Sequence, residues 1–364
     1  MTERPVVAVL FGGRSSEHGV SCVTAGGVLA AIDRSAWDVL AIGITHEGRW
    51  TLTSADPADW QIVNGVMPAV PDADHTVLPP SQAGSTTWRV LGDDGVARPL
   101  AQIDVVFPVL HGPFGEDGTV QGALELVDVR YVGAGVLASA IGMDKEYMRA
   151  AFLAAGLPVT PAVVLRPGQT AAGSASEIAA LGLPVFVKPA RAGSSMGISR
   201  VDEARALHAA IAEAAKHDPK VLIERAVVGR EIETAVLDTP QGIRVSLPGE
   251  IVTGGEHAFY DFEAKYLDES NVQLLCPAPL PEDVVARVRE VAGAAFRAVG
   301  AESLARVDVF VSEDGTVTVN EINTMPGFTP TSMYPRMWAA SGVDYLELVS
   351  TLLETALQRP LGLR

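Results

Sequence analysis

The hydrophobic positions near the start of the chain predict a parallel β-sheet. An uninterrupted apolar run at 6–11 is followed by two glycines and then by a stretch of small residues with helical character at 21–32. A buried strand, a glycine turn and a helix in this order are typical of a sheet that is covered on both faces. Apolar runs at 39–44 and 104–110 predict further strands. Residues 51–100 show no sustained periodicity, so we expect peripheral strands and loops there.

The later part of the chain predicts a mixture of helices and strands. The predicted elements are a helix over 145–155, strands over 185–189, 220–224 and 231–237, and helices that begin at 202 and 281. A chain of 364 residues is too long for one small core. We therefore expect a mixed α/β and α+β protein with three domains, namely 1–134, 135–226 and 227–364.

A β-hairpin is predicted within 305–323. Asp314-Gly315 lies between two runs of alternating apolar residues. An Asp-Gly pair favours a two-residue type I′ turn, because both central residues of that turn need a positive φ. With this pair at the tip, Glu313 pairs with Thr316.

The predicted register places a set of polar side chains on one face of the hairpin. Asp308 falls opposite Glu321, and Arg306 falls opposite Asn323. Directly opposed side chains share a face and lie about 4.5–5.5 Å apart at Cβ. Two carboxylates so close repel each other unless a cation lies between them. Because carboxylate and amide oxygens suit Mg²⁺ or Mn²⁺ rather than zinc, we predict a magnesium-type site. The alternative is a solvated surface hairpin.

Composition and charge exclude several classes of partner. The hydrophobic content of 48% and charged content of 20% indicate a soluble globular protein. The net charge of −17 argues against nucleic acid and against anionic membrane surfaces as partners. We find no apolar stretch that approaches the length of a membrane span and no signal-peptide layout, so we expect a cytosolic protein. Cys22 and Cys276 do not form a disulfide framework and are interpreted as small buried residues.

Glycine-rich loops indicate nucleotide chemistry. The loop 188–197 follows a predicted strand and contains two glycines, two serines and Lys188 upstream. Its backbone N–H groups can close over phosphates, although it lacks the Walker A order and a flexible turn is the alternative. The turn at 11–18 lacks the third glycine of a dinucleotide fingerprint, which disfavours NAD and FAD. The loop 111–118 follows the carboxyl end of a strand, where open α/β sheets bind ligands. The aromatic and charged segment 259–266 is either a binding loop or an amphipathic helix.

Five motifs in order resemble those of the D-alanine–D-alanine ligase family of the ATP-grasp superfamily. They are Phe-Gly-Gly-x-Ser-x-Glu-x-x-x-Ser at 11–21, His-Gly-x-x-Gly-Glu-Asp-Gly at 111–118, Met-Asp-Lys at 143–145, Lys-Pro-x-x-x-Gly-Ser-Ser at 188–195 and Glu-x-Asn-x-x-Pro-Gly-Phe-Thr at 321–329. The resemblance extends from about residue 5 to residue 340. It implies an ATP-grasp fold, in which a Rossmann-like domain precedes two α+β domains that clamp ATP, with an omega loop at about 250–270.

The resemblance also implies roles for individual residues. The positions that match ATP-binding residues are Lys145, Lys188, Ser195, Glu224, Val227, Glu231 and Lys265. The positions that match ligands of two Mg²⁺ or Mn²⁺ ions are Asp308, Glu321 and Asn323. The positions that match catalytic residues are Glu17, Ser194, Tyr266, Arg306 and Gly327. The positions that match the substrate pocket are Glu17, His111, Gly327, Ser332 and Met333.

The family chemistry implied is an ATP-dependent ligation. A first D-alanine is phosphorylated on its carboxylate, and the amine of a second D-alanine then attacks the acyl phosphate, releasing ADP and phosphate. The product serves peptidoglycan synthesis in the bacterial cytoplasm, and family members are commonly homodimers. Two positions depart from the family pattern: Gly19 replaces a second acid, and Arg225 replaces a lysine beside the adenine.

Other functions stay open at this point. Ligases that join D-alanine to D-lactate resemble this family but lack a tyrosine at the position of Tyr266, which favours an amine acceptor here. A D-alanine–D-serine ligase is harder to separate, since one hydroxyl changes the acceptor little. An inactive ATP-binding scaffold is disfavoured because no matching lysine, arginine or metal-ligand position is lost.

Overall fold

A computed structural model describes residues 4–193, 196–253 and 272–361 of the chain. The strands are β1 (Val6–Gly12), β2 (Asp38–Ile44), β3 (Trp50–Thr53), β4 (Thr76–Leu78), β5 (Thr87–Leu91), β6 (Ala97–Gln102), β7 (Val105–Pro108), β8 (Arg130–Tyr131), β9 (Ala162–Leu165), β10 (Val185–Pro189), β11 (Ser199–Val201), β12 (Val221–Arg225), β13 (Arg230–Thr239), β14 (Gly242–Val245), β15 (Gly249–Thr253), β16 (Val272–Leu275), β17 (Leu304–Val311) and β18 (Val317–Asn323). The α-helices are α1 (His18–Ala31), α2 (Thr119–Glu125), α3 (Val136–Met143), α4 (Lys145–Ala154), α5 (Ala175–Leu181), α6 (Leu207–Ala214), α7 (Glu282–Ala298), α8 (Met333–Ala340) and α9 (Tyr345–Gln358). Short 3₁₀ turns occur at Pro57–Trp60 and Ala204–Ala206.

The first part of the chain forms the predicted parallel sheet. Its strand order is β3-β2-β1-β7-β8, with β1 parallel to β2 and β7, β8 parallel to β7, and only β3 antiparallel. The central strand β1 is buried along almost its whole length, as its uninterrupted apolar run predicted. The segment 51–100 contributes the edge strand β3 and a small antiparallel sheet, β4-β5-β6. Its peripheral character is therefore confirmed.

Two antiparallel sheets follow. The four-stranded sheet has the order β11-β10-β12-β9, and the larger sheet has the order β16-β15-β13-β17-β18 with β14 also paired to β13. Helix α7 carries its apolar side chains at 284, 288, 292 and 295–296 into the core of the larger sheet. The three predicted domain ranges, 1–134, 135–226 and 227–364, correspond in sequence to these sheets, but their boundaries stay a prediction.

The end of the chain returns to the first sheet. Apolar residues of α9 share one core with those of β1 and β7. Just beyond α9, the buried Arg359 donates hydrogen bonds to the carbonyls of Tyr131 and Gly133, at 3.3 and 2.7 Å, and forms an ion pair with Glu302. The first sheet and the six-stranded sheet are thus joined by packing that spans more than two hundred residues of sequence. Among the helices that the structure describes, none combines the length and hydropathy needed to cross a membrane.

Candidate active site

A cavity of about 360 Å³ lies where the first sheet meets the two antiparallel sheets. Twelve of the residues predicted from sequence line it, namely Glu17, His111, Lys145, Lys188, Glu224, Val227, Glu231, Arg306, Asp308, Glu321, Asn323 and Gly327. Ser332 and Met333 are not part of this lining. Ser194, Ser195, Lys265 and Tyr266, together with most of the predicted omega loop, lie outside the described residues. The individual roles assigned to these side chains stay predictions.

The hairpin of β17 and β18 forms one wall of the cavity. Asp308 lies opposite Glu321, and Arg306 lies opposite Asn323, as the alternating pattern predicted. All four side chains line the cavity. The tertiary structure therefore brings the two carboxylates, the amide and the guanidinium together on one face.

The tip of this hairpin differs from the prediction. The Ser312 N–H donates to the Thr316 carbonyl at 3.0 Å, so that the turn contains residues 313–315. Gly315 has φ of +79°, the left-handed position of a three-residue hairpin loop. The prediction that Glu313 pairs with Thr316 across a two-residue turn is wrong.

A β-bulge then restores the predicted register at the site. Near the tip Val311 faces Val317, one residue away from the predicted pairing. Between the pairs Val309–Val319 and Asp308–Glu321, β18 contains one additional residue, Asn320. The bulge compensates for the longer turn, and bulges commonly re-aim side chains next to active sites.

Arg306 and Asp308 form a buried ion pair on this wall. The Nε and Nη2 groups of Arg306 donate to the two carboxylate oxygens of Asp308, each at 2.7 Å. Glu233 on β13 lies 3.3 Å from the same Nε. Burial alone would lower the pKa of Arg306, but the charges of Asp308 and Glu233 outweigh it and raise that pKa well above its ordinary value. Arg306 is therefore a permanent positive charge at the cavity wall.

The donor set of Asp308, Glu321 and Asn323 fits a hard divalent cation. Asn323 Nδ2 donates to Asp308 at 3.0 Å, and its amide oxygen can act as a ligand. Among the described residues, no group of three or more His, Cys, Asp and Glu side chains could hold a metal ion by itself. Mg²⁺ is usually held by one or two carboxylates together with substrate phosphates rather than by a complete protein cage. The residues present thus suit Mg²⁺ or Mn²⁺ bound with a nucleotide, and they do not suit zinc.

A buried glutamate in the cavity lining holds two cations. Glu224 on β12 accepts from Lys188 Nζ on β10 at 2.6 Å and from Arg149 Nη1 on α4 at 2.5 Å. Arg149 was not among the residues predicted from sequence. Its position four residues after Lys145 places both on one face of the predicted helix, and this spacing is the signal that could have found it. Burial lowers the pKa of Arg149, and the charge of Glu224 opposes that effect.

Lys145 reaches the cavity from the first residue of α4. Its Nζ donates to the Ala192 carbonyl at 3.0 Å and lies 3.6 Å from Glu321 Oε2. The preceding Asp144 caps the helix by accepting from the backbone of Glu146 at 3.1 Å, which fixes where Lys145 begins the helix. An ammonium group has three donors, so Lys145 can also donate to a phosphate.

The loops after β1 and β7 present Glu17 to the cavity. The Ser15 hydroxyl donates to the His111 carbonyl at 2.7 Å and accepts from the Glu17 N–H at 3.1 Å, which ties the two loops together. Gly112 has φ of +74°, and a Cβ there would lie 2.7 Å from Glu17 Oε2. The left-handed backbone conformation favours glycine here, and a Cβ would displace the Glu17 carboxylate.

His111 and Glu116 project from one tight turn. His111 lies 3.1 Å from Thr24 Oγ1 through Nε2 and 3.1 Å from the Met325 carbonyl through Nδ1. Burial lowers the pKa of His111, while Glu17 and the Met325 carbonyl act in the opposite direction. Burial and the nearby Glu17 raise the pKa of Glu116 to about 8. Sequence reasoning recognised Glu116 only as part of a binding loop, because nothing local indicates its burial.

Gly19 and Arg225, the two positions that depart from the family pattern, each have a defined neighbour in the structure. A Cβ at Gly19 would lie 2.7 Å from the Cβ of Met67, so Met67 occupies the space that a side chain would need. Arg225 lines the cavity, but its guanidinium donates to the carbonyls of Leu181 and Ala180, at 2.7 and 3.2 Å, at the end of α5. Arg225 thus also stabilises the end of a helix.

Ser332 and Met333 lie at the start of α8, beside the segment that ends in Gly327. The Ser332 hydroxyl accepts from the Thr329 N–H at 3.1 Å and lies 2.7 Å from the Thr329 hydroxyl. Met333 is buried, and a Cβ at Gly249 would lie 2.5 Å from its sulfur. The pocket role predicted for this pair stays a prediction.

Comparisons with known proteins agree with this geometry. The family model described as D-ala D-ala ligase N-terminus matches residues 6–134, and the one described as D-ala D-ala ligase C-terminus matches residues 152–354. The chain belongs to the D-alanine–D-alanine ligase family. Its relatives include a D-alanine–D-alanine ligase of Kineococcus radiotolerans, 58% identical with 99% of each chain covered. Another, from Mycobacterium avium, is 53% identical with 100% of this chain and 99% of the relative covered.

Solved structures show the same architecture. The D-alanine–D-alanine ligase from Coxiella burnetii superposes with a TM-score of 0.84 at 32% identity, covering 98% of this chain and 95% of that chain. The VanG D-Ala:D-Ser ligase from Enterococcus faecalis also gives 0.84 at 32% identity, covering 97% of this chain and 100% of that chain. The ATP-grasp fold class predicted from the motifs is confirmed.

Proposed function

We propose that this member of the D-alanine–D-alanine ligase family joins two D-alanine molecules in an ATP-dependent reaction that yields D-alanyl-D-alanine, ADP and phosphate. The observation that carries the proposal is that one cavity is lined by Glu17, two lysines, Arg306 and the oxygen ligands of the hairpin. Relatives that are named D-alanine–D-alanine ligases cover nearly the whole chain at 52–58% identity, which supports the same reaction here.

The nucleotide is proposed to bind between the four-stranded and six-stranded sheets. Lys145 and Lys188 enter from α4 and β10 and would neutralise phosphate oxygens. Glu224 on β12, Val227 on the connection between the sheets and Glu231 on β13 would bind the adenosine part. Because phosphoryl transfer depends mainly on positioning and charge neutralisation, a rigid lysine framework is suited to it. The buried Glu224 fixes Lys188 at 2.6 Å, so this cation is held in place before ATP arrives. Ser195 and Lys265 are proposed to complete this site.

The first D-alanine is proposed to bind with its ammonium at Glu17 and its carboxylate toward Arg306. Attack of that carboxylate on the γ-phosphate of ATP would give D-alanyl phosphate and ADP. Arg306 keeps its charge at any physiological pH, so it can stabilise the negative charge on the transferred phosphoryl group and later on the tetrahedral oxygen. The backbone of Gly327 is proposed to support the same oxygen.

Asp308, Glu321 and Asn323 are proposed to hold two Mg²⁺ or Mn²⁺ ions. When bound, these ions would neutralise and orient the phosphate oxygens during transfer. The chain itself contributes the ligands on adjacent strands and the Arg306 contact that fixes the Asp308 carboxylate.

The second D-alanine is proposed to lie near Gly327, Ser332 and Met333, with His111 beside it. Its amine would attack the acyl phosphate carbonyl, and phosphate would leave. Water must be excluded from the acyl phosphate during this step, and we propose that Ser194 and Tyr266 take part in that closure. We further propose a homodimer that acts in the bacterial cytoplasm, where the dipeptide would enter peptidoglycan synthesis.

Phosphate release from ATP and Mg²⁺ tests the proposal directly. The protein is incubated with D-alanine alone, with D-alanine plus D-serine, with D-alanine plus D-lactate, and with L-alanine as the control, and product masses are measured. Release with D-alanine alone and a D-alanyl-D-alanine mass is the expected result. Release only with a mixed pair would replace the proposal with a D-serine or D-lactate ligase. Failure of every mixture would overturn a ligase function.

A further inference from the structure

We propose that His111 and Glu116 form a two-point clamp on the backbone of Met325 that positions the segment 323–327 for catalysis. The inference rests on the proposed function for its kinetic consequences, and it assigns Glu116 as a positioning residue. Both backbone polar groups of one residue are held: His111 Nδ1 lies 3.1 Å from the Met325 carbonyl, and the Met325 N–H donates to Glu116 Oε1 at 3.2 Å.

The clamp connects parts of the chain that are distant in sequence. His111 and Glu116 belong to the turn after β7 of the first sheet, whereas Met325 follows β18 of the six-stranded sheet, more than two hundred residues later. Asn323 and Gly327 flank Met325 at two residues on either side, and both line the cavity. A shift of the Met325 peptide would therefore move a proposed metal ligand and a proposed oxyanion contact together.

The turn that carries the clamp is itself rigid. Glu116 accepts from the Gly112 N–H at 2.6 Å through its other oxygen, Oε2, and the N–H groups of Gly115 and Glu116 donate to the Gly112 carbonyl at 3.1 and 3.0 Å. The two oxygens of Glu116 thus hold its own turn and the distant segment at once. A carboxylate is the side chain group that can accept both bonds without a donor of its own.

Hydrogen bonds at both ring nitrogens fix the orientation of His111. The Thr24 hydroxyl on α1 lies 3.1 Å from Nε2, which leaves Nδ1–H to donate to the Met325 carbonyl. Both ring nitrogens therefore have protein partners, and this arrangement suits the neutral ring that burial favours. His111 thus positions Met325, in addition to the substrate contact proposed for it.

Burial and the charges around Glu116 make the ionisation of its carboxyl group unfavourable. Glu17 at the start of α1 opposes its ionisation, and Arg306 on β17 favours it, with burial as the largest influence. The ionised form is the one that accepts from both Gly112 and Met325. We therefore expect the clamp to tighten as pH rises through about 8.

Hydrogen exchange in Glu116→Gln tests the clamp without reference to activity. A glutamine has the same shape but only one acceptor oxygen, so it cannot accept from both N–H groups. Above pH 8, where Glu116 is ionised, the amide of Met325 should then exchange about tenfold faster or more, because a bond to a charged acceptor is lost. The matched control is Glu125→Gln, which weakens a different glutamate contact, the 2.7 Å bond from the Tyr131 hydroxyl, outside the cavity lining. Unchanged exchange at Met325 in Glu116→Gln would overturn the clamp.

Kinetics separate positioning from a general structural defect. Glu116→Gln should lower kcat about tenfold or more and raise KM for D-alanine. The Kd for ADP, measured without Mg²⁺, should stay within about twofold, because the lysine framework does not contact the clamp. The ratio of variant to wild-type kcat should also fall as pH rises through about 8. Equal losses in ADP affinity and kcat, shared by Glu125→Gln, would show a structural role and refute positioning.

Conservative replacements keep the proposal testable if Glu116→Gln folds poorly. Glu116→Asp retains two acceptors and should recover part of the Met325 protection. The Nδ2 group of His111→Asn can take the place of ring Nδ1, whereas the amide of His111→Gln takes the place of Nε2. The clamp predicts more activity in His111→Asn than in His111→Gln, and the reverse order would contradict it. If the wild-type protein makes no dipeptide, the proposed function fails, and the exchange of Met325 still decides the clamp.

Discussion

Asp308 and Glu321 face each other on adjacent strands, yet their removal should affect stability very differently. Asp308→Asn keeps the size of the side chain but removes the charge that Arg306 contacts twice at 2.7 Å. Breaking a buried ion pair costs about 3–5 kcal/mol, because the remaining charge stays buried. Since Glu233 still lies 3.3 Å from Arg306, we expect a loss of unfolding free energy near the lower end, about 3 kcal/mol.

Glu321→Gln should lower the unfolding free energy much less than Asp308→Asn does. Glu321 lies 3.6 Å from Lys145 and also favours the charge of Arg306, but its side chain is 29% exposed. Partly exposed pairs of this kind contribute about 0–1 kcal/mol. Both variants should lose turnover by at least about 100-fold, since each removes a proposed ligand or charge at the phosphoryl group.

Two assays on the same preparations check this contrast. Denaturant unfolding without nucleotide gives the stability difference, and phosphate release with saturating ATP, Mg²⁺ and D-alanine gives turnover. Asp314→Asn is the control, because Asp314 lies at the exposed tip of the same hairpin and asparagine can still accept from the Thr316 N–H. Near-wild-type turnover in Glu321→Gln would refute the metal assignment, and unchanged stability in Asp308→Asn would refute the buried ion pair.

Three further outcomes are expected. The folded-state pKa of Glu116 is raised from 4.5 to about 8, so its contribution to stability is present below pH 4.5 and is lost as pH rises toward 8. Relative to Glu116→Gln, the unfolding free energy of the wild-type protein should therefore fall over this window by at most about 5 kcal/mol. Denaturant titration at several pH values measures this difference. Gly112→Ala should lose about 1–2 kcal/mol in the same assay, because its φ is +74° and the new Cβ meets Glu17; wild-type stability would contradict that reasoning. Burial raises the pKa of the Cys22 thiol to about 12, so a thiol reagent at pH 8 should label Cys22 only after unfolding. The half-buried Cys276 should react sooner. Mass spectrometry of the labelled peptides measures the order, and the opposite order would contradict this reasoning.

The sequence alone determined the elements and their chemistry where the signals are local. The buried run at 6–11 predicted the central strand because parallel strands covered on both faces need continuous apolar side chains. The alternation around Asp308 and Glu321 predicted their shared face, because strand side chains have a period of two. That prediction held at the site only because a bulge at Asn320 compensates for a turn one residue longer than expected. Neither the turn length nor the bulge is visible in the alternation itself.

Only the tertiary structure decided which groups act on one another across the cavity. Glu116 was visible as one acid in a glycine-rich loop, but its burial, its closeness to Glu17 and its bond to Met325 depend on strands far apart in sequence. Arg149 likewise forms its ion pair with Glu224, which lies on another element. Local patterns determine secondary structure because they act through neighbouring residues. Burial, charge pairing and pKa shifts depend on distances in space, which are created by the packing of the three sheets that meet at the cavity.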